Sequence, residues 1–110
     1  MTPSLDIDAL VDRMTLEAKV AQLGTIRIGS VLDDGSFDPA RARETIPHGI
    51  GRVTRVGRES GLAPRELAGE IAALQSFLRS ETPEGIPAFV REESLCGYAG
   101  RRGATVPQAI

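Results

Sequence analysis

The apolar residues near the start of the chain follow the helical period, which predicts two short helices. Ser4 is placed to cap the first helix and Thr15 to cap the second. Gly24 suits the end of the second helix, because glycine is common just past a helix. The apolar stripes are formed by Ile7, Leu10, Val11 and Met14 in the first helix and by Leu16, Val20 and Leu23 in the second. Such stripes indicate packing rather than chemistry.

The pattern then alternates between strand and helix, which predicts an α/β fold. Strands are expected at residues 25–28, 50–56 and 86–90, and helices at about 39–46 and 64–80. Asp38 before Pro39, and Pro64, are typical of helix starts, whereas residues 33–35 read Asp-Asp-Gly and predict a turn. The order strand, helix, strand from residue 50 to residue 90 predicts a right-handed unit with parallel strands.

Residues 86–110, IPAFVREESLCGYAGRRGATVPQAI, contain the candidate site. The apolar run at 86–90 is typical of a strand buried in a parallel sheet. Arg91, Glu92 and Glu93 follow it directly, and a loop rich in glycine comes next. Because α/β folds build their sites at the carboxyl ends of strands, we expect the functional side chains here.

Composition narrows the function classes only modestly. Hydrophobic residues make up 41% of the chain and charged residues 25%, close to the average for soluble domains, so nothing suggests a membrane role. The net charge of -2 gives no reason to expect nucleic acid as a partner. A single cysteine, Cys96, excludes an internal disulfide. Residues 1–8 lack the basic start and apolar core of a signal peptide, which predicts a cytoplasmic protein.

The chain resembles glycoside hydrolase family 3, the β-glucosidase and β-xylosidase family. The family segment runs Ile-Pro-Ala, apolar residues, His, two Glu, Leu, a small residue and Gly, then Gly-Ala-Thr and Pro-Gln. The matching positions here are Ile86, Pro87, Ala88, Glu92, Glu93, Leu95, Gly97, Gly103, Ala104, Thr105, Pro107 and Gln108. Residues 13–23, 48–55 and 72–78 resemble earlier parts of the family in the same order. Arg91 stands where the family usually has His.

The resemblance implies a fold and an activity. The fold is the amino-terminal part of a (β/α)8 barrel of the TIM type, which takes ~250 residues when complete. Residues 1–110 are therefore expected to be an incomplete portion of the catalytic barrel domain. The activity is retaining β-glycosidase hydrolysis, without a cofactor, releasing terminal glucosyl or xylosyl units from a glycoside or oligosaccharide. The alternative is a non-catalytic fragment with a sugar-binding or partner-binding role.

Glu92 and Glu93 are not expected to act as the catalytic pair. Retaining glycosidases use two carboxylates about 5 Å apart across the scissile bond, whereas neighbours on a strand end point to opposite sides. By resemblance, Glu93 matches an acidic residue that accepts hydrogen bonds from sugar hydroxyls in the innermost subsite. The alternative for Glu93 is an ion pair with Arg91 or Arg101, and Glu92 is expected to be structural.

The resemblance places the catalytic groups outside this chain. It implies a nucleophilic Asp and an acid/base in the remainder of the same polypeptide, so the chain alone is expected to be inactive. Arg55 is a second candidate for substrate binding, because it falls where a strand gives way to its loop. Arg52 and Arg58 are interpreted, with Arg55, as partners of surface carboxylates.

His48 and Cys96 are residue types that often act in catalysis or metal binding, but we expect both to be structural here. His48, the single histidine, suggests acid/base work or metal ligation, but no second ligand is visible nearby and a loop histidine bonded to backbone is expected. Cys96 suggests a nucleophile, but no base is in sight and a small buried thiol is expected. The acidic turn at residues 33–35 lacks the additional oxygen ligands of a calcium loop, and no metal site is predicted.

Overall fold

Three parallel strands form the sheet at the centre of the computed structural model, which describes residues 4–108. Their order is β1 (Thr25–Arg27), β4 (Arg52–Thr54), β5 (Phe89–Val90), with β4 in the middle. The elements of the described residues are α1 (Ile7–Arg13), α2 (Leu16–Leu23), β1 (Thr25–Arg27), a 3-10 helix (Ile28–Val31), β2 (Leu32–Asp33), β3 (Ser36–Phe37), α3 (Pro39–Thr45), β4 (Arg52–Thr54), α4 (Val56–Ser60), α5 (Pro64–Glu81) and β5 (Phe89–Val90). The expected α/β class is confirmed.

Side-chain oxygens set the starts of the first three helices. The α1 cap is Asp6, whose Oδ1 accepts from the Ala9 N–H at 3.0 Å. The prediction of Ser4 as this cap is wrong, because a cap has to stand directly before the first helical residue. Thr15 caps α2 as predicted, and its Oγ1 accepts from the third helical N–H at 3.1 Å. Asp38 caps α3, also as predicted.

The strand, helix, strand unit from β4 through α5 to β5 is present, and its strands are parallel as predicted. Val53 pairs with Val90 across the two strands. The first strand, β1, pairs with the other side of β4, and Ile26 lies opposite Val53. Helix α5 begins at Pro64, as its sequence predicts, and runs one residue beyond the expected end.

Strands β4 and β5 are shorter than predicted. Strand β5 starts at Phe89 rather than at residue 86, because Pro87 has no N–H and the Ala88 backbone is held by the Gln75 side chain of α5 at 2.8 and 2.9 Å. Phe89 is 70% exposed, so the expectation of a fully buried strand is wrong within residues 4–108. Strand β4 ends at Thr54, since Arg55 has a φ of +57° that extended structure does not allow.

The acidic turn is the tip of a two-stranded antiparallel hairpin formed by β2 and β3. Asp34 and Gly35 have φ values of +46° and +80°, the positive values that a tight hairpin requires at its two central residues. The turn predicted at residues 33–35 is confirmed. Asp33 also forms an ion pair with Arg41 at 2.9 Å, which ties the hairpin to α3.

The core lies between the sheet and α5. Its largest fully buried side chains are Ile28, Val31, Val53, Leu74 and Leu78. By contrast, α1 buries none of its residues and α2 buries only Ala18. Leu23 on the α2 stripe is 80% exposed, so the packing predicted for the two stripes is not seen within the described residues. No helix among residues 4–108 is long and apolar enough to cross a bilayer.

Candidate functional site

The candidate site lies at the carboxyl ends of β4 and β5, around the short helix α4. The sequence did not reveal α4, because five residues are too few to display a helical period. Arg55 precedes the helix in the left-handed conformation, so the chain turns sharply from strand to helix. An ion pair of 3.4 Å between Arg27 and Glu59 joins α4 to the end of β1.

The Glu92 carboxylate accepts hydrogen bonds from backbone N–H groups. Its Oε2 accepts from the N–H groups of Gly57 at 2.7 Å and Arg58 at 3.2 Å, which are in the first turn of α4. Its Oε1 accepts from the N–H of Glu93 at 2.8 Å. A carboxylate that accepts from the first N–H groups of a helix satisfies donors that have no partner inside the helix. The structural role predicted for Glu92 is confirmed.

Glu93 lines a cavity of about 390 Å³. Its carboxylate is exposed and forms an ion pair with the neighbouring Arg91. One predicted alternative, the pair with Arg91, is therefore present, whereas no ion pair with Arg101 is found among residues 4–108. The remaining residues that line the cavity are Arg58, Leu95, Cys96, Gly97, Tyr98, Ala99 and Thr105. The ion pair lies at the surface, so Glu93 stays accessible from the cavity.

Arg55 does not line this cavity, and the structure does not bring it together with Glu93 there. Arg58, one turn of chain further on, does so instead. The prediction that Arg52, Arg55 and Arg58 pair with carboxylates is wrong for the described residues, where none of the three forms an ion pair. Arg58 was missed as a site residue because its position depends on α4, for which the sequence gives no signal.

Close contacts with glycines shape the cavity wall. Tyr98 packs against Gly57 so tightly that a Cβ there would lie 2.1 Å from the tyrosine oxygen. Gly97 has a φ of +98° and approaches the Ala104 carbonyl, which a Cβ would meet at 2.0 Å. A larger residue at either position would displace the segment of residues 94–105, which we call the glycine-rich loop. Close packing, which leaves no room for a Cβ, therefore explains why this segment contains glycine.

Cys96 and His48 differ from their predicted environments. Cys96 is exposed and lines the same cavity as Glu93, so the expected buried thiol is wrong. His48 is also exposed, and its ring makes no hydrogen bond within residues 4–108, contrary to expectation. It lines a separate cavity of about 470 Å³ beside α2, together with Glu17. No group of three His, Cys, Asp or Glu side chains in the described part of the chain is placed to hold a metal ion.

The cavity is lined by hydrogen-bonding groups and by one aromatic ring. Glu93 supplies two acceptor oxygens, Arg58 supplies guanidinium donors, and Tyr98 supplies an aromatic surface. A neutral ligand with several hydroxyl groups offers both the donors and the acceptors that these side chains require. The residues lining the cavity include no second carboxylate, so they do not supply the pair that a retaining glycosidase needs.

Comparison of the chain with known protein families gives no match, and comparison with curated proteins gives no significant match.

Proposed function

We propose that this chain is the amino-terminal part of a barrel domain of the glycoside hydrolase family 3 type. In this proposal it supplies one wall of the subsite that binds a terminal β-glucosyl or β-xylosyl unit. The nucleophile and the acid/base come from the remainder of the same polypeptide, water is the second substrate, and no cofactor takes part. The observation that carries the proposal is that the two neighbouring glutamates have different contacts: Glu92 accepts hydrogen bonds from the backbone of α4, whereas Glu93 lines a cavity.

The order of the strands is compatible with a barrel. Strands β1, β4 and β5 are parallel, and each lies beside the strand of this sheet that follows it in chain order. A barrel adds its strands in this manner, as does one half of a doubly wound sheet before the order reverses at the switch point. Phe89 on β5 is 70% exposed and pairs with Arg52 of β4, which is also exposed; closure of the sheet into a barrel would turn this face inward. These features agree with the first strands of a barrel.

The position of Glu93 supports sugar binding. It lies shortly after Val90, the last residue of β5. Barrel enzymes bind their substrates at this carboxyl end of the strands. A carboxylate accepts hydrogen bonds from two neighbouring hydroxyls, and such bonds orient a sugar ring for reaction. Arg58, which also lines the cavity, would donate to a ring or hydroxyl oxygen.

Hydrolysis of p-nitrophenyl β-glucoside and β-xyloside tests the proposal. We expect no activity from the 110-residue chain and activity from the longest reading frame that contains it. In that longer protein Glu93→Ala should lower kcat/KM by about 10- to 100-fold, since one hydrogen bond to a charged group contributes about 1.5–3 kcal/mol. The matched control is Glu81→Gln, which should leave kcat/KM unchanged. Glu81 is an exposed glutamate on α5 that forms an ion pair with Arg43 of α3.

The second candidate is a non-catalytic sugar-binding role, which the absence of a second carboxylate from the cavity lining favours. The two candidates differ in one result. If the longer protein is inert toward both substrates while the chain binds methyl β-glucoside, the glycosidase proposal is wrong and the binding role takes its place.

A further inference from the structure

We propose that Glu92 is a positioning residue, which fixes the segment directly after β5 to α4 and so directs Glu93 into the cavity. The proposal rests on the proposed function only in the assignment of Glu93 as the sugar-binding carboxylate. Glu92 itself does not line the cavity, and we assign it no contact with substrate.

A single carboxylate joins the ends of two elements. Its Oε2 holds the N–H groups of Gly57 and Arg58, and its Oε1 holds the N–H of Glu93. The partners at Gly57 and Glu92 are 35 residues apart in the chain. Because each oxygen serves a different element, the carboxylate sets the position of the Glu93 backbone relative to α4.

Helix α4 depends on this contact more than an ordinary helix does. It has five residues, and its N-cap residue, Arg55, makes no side-chain capping bond. Glu92 therefore supplies the acceptor that a local Ser, Thr or Asp usually provides. The helix that carries Arg58 and the strand end that carries Glu93 are thus held in place by the same group.

Tyr98 provides a second attachment at the same place. Its ring end lies on Gly57, the residue whose N–H binds Glu92. The strand end and the glycine-rich loop consequently meet α4 at one residue. Loosening the Glu92 contact should free Tyr98 as well as Glu93.

Glu92→Gln is the informative variant. Glutamine keeps the size of the side chain but has one acceptor oxygen, and its NH2 group would face an N–H donor on the other side. It therefore loses the bonds to α4 or the bond to Glu93. The matched control is Glu66→Gln, because Glu66 also accepts from a backbone N–H at a helix start, that of Ala63, at 3.1 Å.

The experiment has three readouts: amide hydrogen exchange by NMR and acrylamide quenching of Tyr98 fluorescence in the 110-residue chain, and binding of methyl β-D-glucopyranoside by the longest reading frame that contains it. In Glu92→Gln we expect exchange at Gly57 or Glu93 to rise by about 10-fold, as for one lost hydrogen bond, together with stronger quenching and weaker glycoside binding. Glu66→Gln should raise exchange at Ala63 alone. The double variant Glu92→Gln/Glu93→Gln should bind the glycoside no more weakly than Glu93→Gln.

Rescue and refutation are both defined. Glu92→Asp keeps two acceptor oxygens on a shorter side chain, should restore part of the protection, and replaces Glu92→Gln in every readout if that variant does not fold. Unchanged exchange at both amides would overturn the proposal. So would faster exchange with Tyr98 quenching and glycoside binding unaltered, since that is a local structural role. If the longest reading frame that contains the chain binds no glycoside, the proposed function fails, whereas exchange and quenching in the 110-residue chain still decide whether Glu92 holds the segment after β5 on α4.

Discussion

Gly57→Ala is expected to displace Tyr98 from α4. The new Cβ would lie 2.1 Å from the tyrosine oxygen and 2.4 Å from Cζ, whereas ordinary contact begins at about 3.4 Å. The difference, 3.4 minus 2.1, requires the ring end to retreat by about 1.3 Å. The Gly57 backbone is held by Glu92 at 2.7 Å and is buried, so the tyrosine is the part that moves.

The change in the free energy of unfolding should be modest. Overpacking costs about 1–3 kcal/mol, but alanine is favoured over glycine within a helix by up to about 1 kcal/mol. The net destabilisation is therefore roughly 0–2 kcal/mol by these two principles. The local effect on Tyr98 is the sharper readout of the contact.

Tyrosine fluorescence measures that effect directly, because the chain has one tyrosine and no tryptophan. We expect acrylamide to quench Tyr98 in Gly57→Ala more strongly than in the wild type, approaching the value for a free tyrosine amide. The matched control is Gly69→Ala in α5, where no atom lies within 4 Å of the added Cβ. It should leave quenching unchanged and raise stability by up to about 1 kcal/mol. Equal quenching in Gly57→Ala and the wild type would refute the packing of Tyr98 on α4.

Three further variants test the fold. Gly51→Ala places its Cβ 1.9 Å from a carbonyl oxygen of α2, backbone that cannot turn aside, so urea unfolding should show a loss of about 3 kcal/mol or more; a wild-type midpoint would contradict this. Gln75→Ala leaves the Ala88 N–H and C=O without their partner and should cost about 1–3 kcal/mol, read from the same transition. The pKa of Glu81 lies below its ordinary value because Arg43 donates a hydrogen bond to it. The pair therefore stabilises the fold above the unfolded-state pKa of Glu81, and this is lost as the pH falls through the lowered value; in a 13C NMR titration Arg43→Gln should raise the Glu81 pKa, and an unchanged pKa would rule the pair out.

Local signals in the sequence predicted most of the regular elements. The starts of α2, α3 and α5 follow from Thr15, Asp38 and Pro64, each of which acts within its own helix turn. The hairpin tip follows from Asp34 and Gly35, whose residue types tolerate a positive φ. Parallel pairing of β4 with β5 follows from the helix between them.

The missed features depend on partners that are distant in the chain. The first N–H groups of α4 have an acceptor only because Glu92 reaches them from the segment after β5, so no local pattern predicts this helix. The shortening of β5 depends on Gln75 of α5, which takes the place of a strand neighbour at Ala88. In the same way, the resemblance singled out Glu93, but the presence of Arg58 in its cavity required the fold.

Hydrolysis of deoxygenated substrates tests the central claim, that Glu93 binds sugar hydroxyls, most directly. The longest reading frame that contains this chain, with and without Glu93→Ala, would be assayed on p-nitrophenyl β-glucoside and on its 3-, 4- and 6-deoxy analogues. A substrate that lacks one of the hydroxyls bonded to Glu93 has already lost that bond, so we predict that Glu93→Ala lowers kcat/KM less for at least one deoxy analogue than for the full glucoside. An equal loss on all four substrates would contradict a direct contact between Glu93 and the sugar.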